Sequence, residues 1–389
     1  MKNIIQIKIL FLSLLVLMAA ALYGQSAKAP IMGWSSWNNF RTNIDEAMIR
    51  QQADALVTSG LWDAGYRFIN IDDGYFGGRD LSGQIFVDST KFPSGMKSLA
   101  DYIHSKNLKA GIYSDAGRNT CGSIWDDDKN GIGVGLYGYL EQDCHLFFNK
   151  WGFDFLKVDW CGAEQMKLDE ETEYVRIIDH VKSLDSNIVF NVCRWQFPGE
   201  WVTKKADSWR ISGDIDASFS SILHIIDLNV ELYKYASAGH YNDMDMLQVG
   251  RGMSYDEDKT HFSMWCMLNS PLLAGNDLRS MSAETIEILT NQELIALSQD
   301  IGYRQATRIF SQDNLEIWLK PLGVDGKSKA VALMNRGEQE IDFYLSPEMI
   351  GVETHCQLRD LWLHENLGKI GEGRQFTIPA HGVVVLKTE

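Results

Sequence analysis

Two aspartates, each closing a short β-like run, are the residues best placed to do chemistry in this 389-residue chain. One ends Phe155-Leu156-Lys157-Val158-Asp159 and the other ends Ser208-Trp209-Arg210-Ile211-Ser212-Gly213-Asp214. Each follows a cation on its own run, Lys157 two residues before Asp159 and Arg210 four before Asp214. Residues i, i+2 and i+4 of a strand share a face, so each carboxyl is expected to point with its cation. Two carboxyls tuned by charged neighbours suit cleavage of a glycosidic bond, one attacking while the other exchanges a proton. A lone aspartate at a strand end is ordinarily a turn or capping residue. The elements around these two argue for more.

Short β-like runs ending in polar residues recur at Ile31–Trp37, Tyr66–Asp73, Leu108–Asp115, Phe153–Asp159, Ile188–Arg194, Ser208–Asp214, His240–Asp245 and Pro271–Asn276. Amphipathic stretches separate most of them. Asp45–Val57 carries Ala47, Ile49, Ala53 and Leu56 at helical spacing, and Glu170–Leu184 and Lys259–Met267 behave alike. Eight alternations of β and α predict a (β/α)₈ barrel, with an open doubly wound sheet as the alternative. Barrel active sites lie at the C-terminal strand ends, which here carry Trp37, Asp72, Asp73, Tyr113, Asp159, Arg194, Asp214 and Asp245. Isolated turn residues would be scattered rather than gathered at one end of successive strands. After residue 300 the pattern changes to short strand-like pieces punctuated by glycines, from Asn314–Lys320 to Val383–Lys387, which predicts a C-terminal antiparallel β-sandwich.

The first 24 residues read as a leader rather than fold: Lys2 and Lys8 precede an apolar run, Ile9–Leu22, that ends in small residues. Export, to a bacterial periplasm, is therefore expected, with residues 25–300 as the barrel and 301–389 as the sandwich. The absence of any Asn-X-Ser/Thr sequon agrees. The net charge of −16 disfavours nucleic acid and anionic membranes as partners, and no later stretch resembles a membrane span. Asp72-Asp73 has no histidine or third spaced acid beside it to complete a metal site, and Asp126-Asp127-Asp128 reads as a solvated loop.

Six segments together resemble glycoside hydrolase family 27, the retaining α-galactosidases and α-N-acetylgalactosaminidases: Met32-Gly33-Trp34 with Trp37, Ile71-Asp72-Asp73-Gly74, Gly111–Gly117, Leu156–Cys161, Trp209–Ile215 and Asn242–Leu247. They follow the family's order over nearly the whole chain after the leader. The resemblance implies Asp159 as nucleophile and Asp214 as general acid/base, without metal or cofactor. It also implies sugar contacts from Trp37, Asp72, Asp73, Tyr113, Lys157, Arg210 and Asp245, and a Cys121–Cys161 disulfide. Cys144, Cys193, Cys266 and Cys356 are left without partners, and Gly74 stands where animal relatives place a cysteine.

Arg194 departs from the family, whose galactose-active members commonly show Cys-Glu-Trp where this chain has Cys193-Arg194-Trp195. Facing the sugar, a guanidinium would fill the space of a 2-acetamido group and favour galactose; paired with a nearby acid, it would point away. The expected activity is exo-cleavage of α-galactosides, whether oligosaccharides or polysaccharide side chains. The alternatives are β-L-arabinopyranosidase, α-N-acetylgalactosaminidase, or a catalytically inactive barrel that binds glycans. The short acid Asp73 leaves room for carbon 6 and so favours galactose.

Overall fold

The computed structural model describes residues 29–389. The leader assigned to residues 1–24 lies outside them. Eight parallel strands form one curled sheet. They are β1 (Met32–Ser35), β2 (Phe68–Asn70), β3 (Lys109–Asp115), β4 (Phe155–Asp159), β5 (Val189–Val192), β6 (Ser208–Arg210), β7 (Tyr241–Asp243) and β8 (Leu272–Ala274). Each pairs with its sequence neighbour up to β7, and β8 returns to pair with β1. The remaining seam closes just past β7, where Leu247 bridges Ala274 and its N–H donates to Leu273 at 2.8 Å. The result is the barrel the alternation predicts.

The helices start where their caps dictate. Asp45 accepts the N–H of Met48 to begin α1 (Glu46–Thr58), and Asp169 accepts that of Thr172 to begin α4 (Glu170–Leu184). Between them lie α2 (Gly95–Ser105) and α3 (Leu140–Cys144), the latter running into a π-helical segment, His145–Trp151. Ser218 caps α5 (Phe219–Asn229), and a reciprocal box of Ser254 and Glu257 starts α6 (Tyr255–Met267). The alternation fails once. Between β5 and β6 there is only a 3₁₀ turn, Glu200–Lys204. The Pro198-Gly199 pair just before it breaks any longer helix.

All eight strand-like runs become strands, but shorter ones. Trp37 belongs to a helical turn, Trp37–Phe40, and Asp214 lies four residues beyond β6. The strand-face argument for Arg210 and Asp214 therefore does not hold, although the two side chains still meet through the turn. Interior burial is carried by large aromatics whose N–H groups are satisfied, as where Trp209 donates to Asn242 and Trp265 to the Asp245 carbonyl.

Two helices, Ala283–Leu289 and Gln292–Ser298, lead to the second layer. Its six-stranded antiparallel sheet faces the two-stranded pair Ile341–Leu345 with Arg374–Ile378. Two strands there, Thr307–Gln312 and Glu365–Lys369, and a helical turn, Pro347–Ile350, went unseen in the sequence. Both strands are mostly polar and lie at the outer edges of the sheet, where one flank is open and apolar alternation is weak. Among the described residues no helix is long and apolar enough to cross a membrane.

Candidate active site

An open pocket at the C-terminal end of the barrel is lined by Trp37, Arg41, Asp72, Tyr113, Cys121, Trp125, Lys157, Asp159, Cys161, Trp195, Gly213 and Asp214. Below it, and sharing Asp72, Tyr113 and Lys157, a smaller inner chamber reaches Asn191, Arg210 and Asp245. Trp37, Asp72, Tyr113, Lys157, Asp159 and Asp214 thus meet in one place from five strand ends.

The two carboxyls differ in setting. Asp159 is 5% exposed and accepts from the indole of Trp195 at 3.0 Å and from the N–H of Trp160 at 3.1 Å. Asp214 has 59% of its side chain exposed. Burial dominates at Asp159 and pushes its carboxyl up to about 6, against the opposing pull of Lys157. The expected service of Lys157 to Asp159 is therefore secondary. Its ammonium lies 2.9 Å from Asp72 and only 4.0 Å from Asp159.

Asp214 goes the other way. Burial opposes ionisation there too, but the charges of Arg210, Lys157 and Arg41 outweigh it and hold the carboxyl below the ordinary range. In the free site the proton thus favours the buried carboxyl over the open one. Arg210 is buried, and one of its amino nitrogens lies 2.9 Å from the Asp245 carboxylate, 3.1 Å from that of Asp214 and 2.8 Å from the Gly213 carbonyl. Its Nε has no hydrogen-bond partner among the described residues, and Arg210 lines the inner chamber.

Asp245 serves the loop more than the pocket. Its Oδ2 accepts the N–H of Ile215 at 2.9 Å, next to Asp214, and its Oδ1 accepts that of Met246 at 2.7 Å. Asp73 is withdrawn as well: its two oxygens accept from Gly74 at 2.8 Å and Gly122 at 2.7 Å, and it is fully buried. One of the two donors is local and the other comes from the loop after β3. Gly74 turns the chain at φ +108°, and a Cβ there would fall 2.7 Å from the Thr42 backbone, so no larger residue fits this exit from β2. Tyr113 accepts the N–H of Cys121 at 3.2 Å, and Trp160 stacks on Tyr174 as ordinary barrel packing.

Cys121 and Cys161 are bonded, which ties the loop after β3 to the loop after β4 beside Asp159. Asp115 reinforces the tie by accepting N–H groups of Gly117, Gly162 and Ala163. The other four cysteines are free thiols.

Arg194 does not face the pocket. Its Nε donates to Glu170 at 2.8 Å, and Glu164 lies 3.8 Å away. Trp195 takes a positive φ of 66°, which turns its own indole onto Asp159 and leaves Arg194 against the acidic first turn of α4. The steric exclusion expected from Arg194 is therefore withdrawn in favour of the paired reading.

Three pocket residues were not singled out in the sequence: Arg41, Trp125 and Trp195. Arg41 and Trp125 sit beyond strand ends, on connecting segments without periodicity. A signal did exist for Arg41 in Asp126, which is not simply solvated: its carboxylate pairs with the guanidinium at 2.5 and 2.8 Å. Asp127 remains in solvent, and Asp128 accepts the N–H of Asn130.

Comparison with known proteins places this geometry. Residues 29–300 match the family model described as alpha galactosidase A, and residues 312–388 match the alpha galactosidase C-terminal beta sandwich domain. The chain is 41% identical to alpha-galactosidase A of Cellvibrio japonicus, over 95% of this chain and 94% of that protein. It superposes on the crystal structure of alpha-galactosidase I from Mortierella vinacea with a TM-score of 0.85 at 32% identity, covering 93% and 97% of the two chains. The Saccharomyces cerevisiae alpha-galactosidase with raffinose gives 0.82 at 26% identity, covering 94% and 99%.

Proposed function

Because the chain belongs to glycoside hydrolase family 27, the α-galactosidase family, we propose that it hydrolyses terminal α-linked galactose by double displacement, with Asp159 as nucleophile and Asp214 as general acid/base. The observation that carries the reading is one pocket holding two carboxyls of opposite setting, one sealed against Trp195 and one open to solvent. The sealed carboxyl has fixed hydrogen bonds that aim it, as an attacking group requires. The open one can reach a leaving oxygen and, later, a water.

In the first step Asp159 attacks the anomeric carbon while Asp214 passes its proton to the departing oxygen, leaving a galactosyl ester on Asp159. In the second, Asp214 takes a proton from water as the water displaces Asp159, and the anomeric configuration is restored. Asp72, held by Lys157, is positioned to accept from sugar hydroxyls. Losing the charge of Asp159 on esterification removes a repulsion at Asp214 and lets it act as base.

The substrates in view are galactosyl oligosaccharides, as in the raffinose complex of the yeast relative. Action outside the cytoplasm fits the leader-like first residues and the disulfide beside the site. A parallel assay on the nitrophenyl glycosides of α-galactose, α-N-acetylgalactosamine and β-L-arabinopyranose tests the reading. Preference for the first, with α-galactose as the first-formed anomer by NMR, is expected. Preference for either of the others would replace the substrate, and no turnover of any would leave a glycan-binding barrel.

A further inference from the structure

We propose that Trp125 is the platform on which the leaving-group sugar stacks, with Arg41 supplying the hydrogen bonds that orient it. The inference rests on the galactosidase reading of the same pocket and extends it from the sugar that is cleaved off to the ring beyond the scissile bond.

The pocket has an inner and an outer side. Asp159, Trp195 and the Lys157–Asp72 pair make the inner side, and Asp214 is the exposed carboxyl. A proton donor must touch the glycosidic oxygen, so the leaving group departs past Asp214. On the same open side as Asp214 lie Trp125, 73% exposed, and Arg41, with 51% of its side chain exposed. Arg41 is also close enough to Asp214 for its charge to help hold that carboxyl ionised.

Single exposed aromatics are common on protein surfaces and need no explanation. Trp125 differs in being held on both sides. Its helix, Cys121–Trp125, begins at the disulfide to Cys161, and the next residue, Asp126, grips Arg41 through two bonds. Arg41 in turn lies 4.8 Å over the ring of Trp37, another pocket residue. The backbone on either side of Trp125 is thus tied down in the rim while the indole surface stays bare, which lowers the ordering cost of binding.

A pyranose offers an apolar C–H face to such a ring and hydroxyls around its edge. The guanidinium spends Nε and Nη2 on Asp126, which leaves Nη1 to donate to those hydroxyls.

Two substrates with the same galactose and different leaving groups separate the roles. Raffinose carries a sugar beyond the bond, whereas α-galactosyl fluoride carries none. Trp125→Ala should lower kcat/KM for raffinose about tenfold, mainly through KM, while kcat/KM for the fluoride stays within about twofold. Trp125→Phe should recover most of the raffinose loss, since a ring face remains. Equal losses on both substrates would make Trp125 a support of the whole pocket and overturn the proposal. So would an unchanged raffinose efficiency. If the unmodified enzyme cleaves neither substrate, the galactosidase reading falls, and the platform with it. Thermal melting of both variants checks that the exposed position leaves the fold intact.

Discussion

At the scale of single residues, the site is governed by how two carboxyls share protons. Burial favours the neutral form of Asp159, and three cations favour the charged form of Asp214. The reaction needs one proton on the pair, and needs it on Asp214. Raising the pH through about 6 removes the proton that burial holds on Asp159 and leaves both groups ionised, so the donor is lost. Lowering the pH past the depressed range of Asp214 protonates both, so the nucleophile is lost. The expected kcat/KM profile is therefore a bell centred below neutrality, with its alkaline limb near pH 6. An optimum above neutrality would show that Asp159 and Asp214 do not titrate as a pair. A second expectation concerns the acid alone. Asp214→Ala should slow raffinose by about 10²–10⁴-fold and an activated nitrophenyl galactoside far less, because a good leaving group needs little protonation. Equal losses on both would remove Asp214 from the role.

At the scale of elements, the site depends on loops that tie strand ends together. The loop after β3 carries Cys121 and Trp125, and the loop after β4 starts at Trp160 and Cys161, directly beyond Asp159. The disulfide spans 40 residues of sequence, a closure that constrains the unfolded chain by about 2–4 kcal/mol. Cys121→Ser combined with Cys161→Ser should lower the melting temperature. It should also reduce kcat/KM, since a misplacement of about 1 Å near the reacting atoms costs up to about 10²-fold. Loss of stability with unchanged kinetics would mean that Asp115 alone holds the loops in place through Gly117, Gly162 and Ala163. The loop that carries Asp214 is tied by other means, through Asp245 and Arg210.

At the scale of the whole molecule, barrel and sandwich share a core. Trp318, Ala330, Ala332, Met334 and Val385 of the sandwich are buried in the same apolar cluster as the barrel interior. Lys320 is fully buried and bonds the Cys266 carbonyl at 3.1 Å at the end of α6. At the rim, Arg336 bridges Asp227 of α5 and Glu316 of the sandwich, 2.7 Å from each. A chain stopped after residue 300 would expose this apolar face and leave the α6 end without the hydrogen bond from Lys320. Such a truncation is expected to be insoluble, and the full chain to melt in one transition. A soluble, active barrel alone would show that the interface is dispensable.

The sequence alone determined the repeating β/α order, because apolar runs and helical spacing are local, and it determined the identities of the carboxyls gathered at strand ends. It also carried α4 to the residue, since Asp169 and the acidic first turn mark its start chemically. Three things had to wait for the fold. Whether Arg194 or Trp195 enters the pocket was decided by a positive φ, a single backbone angle that no spacing encodes. Asp73 was withdrawn by backbone donors, one of them on a segment 49 residues away. The upward shift of the Asp159 carboxyl came from burial, which outweighs a cation that the sequence could see two positions off. Each is a contest between a local pattern and distant partners, and desolvation and hydrogen bonding are settled only when those partners are in place.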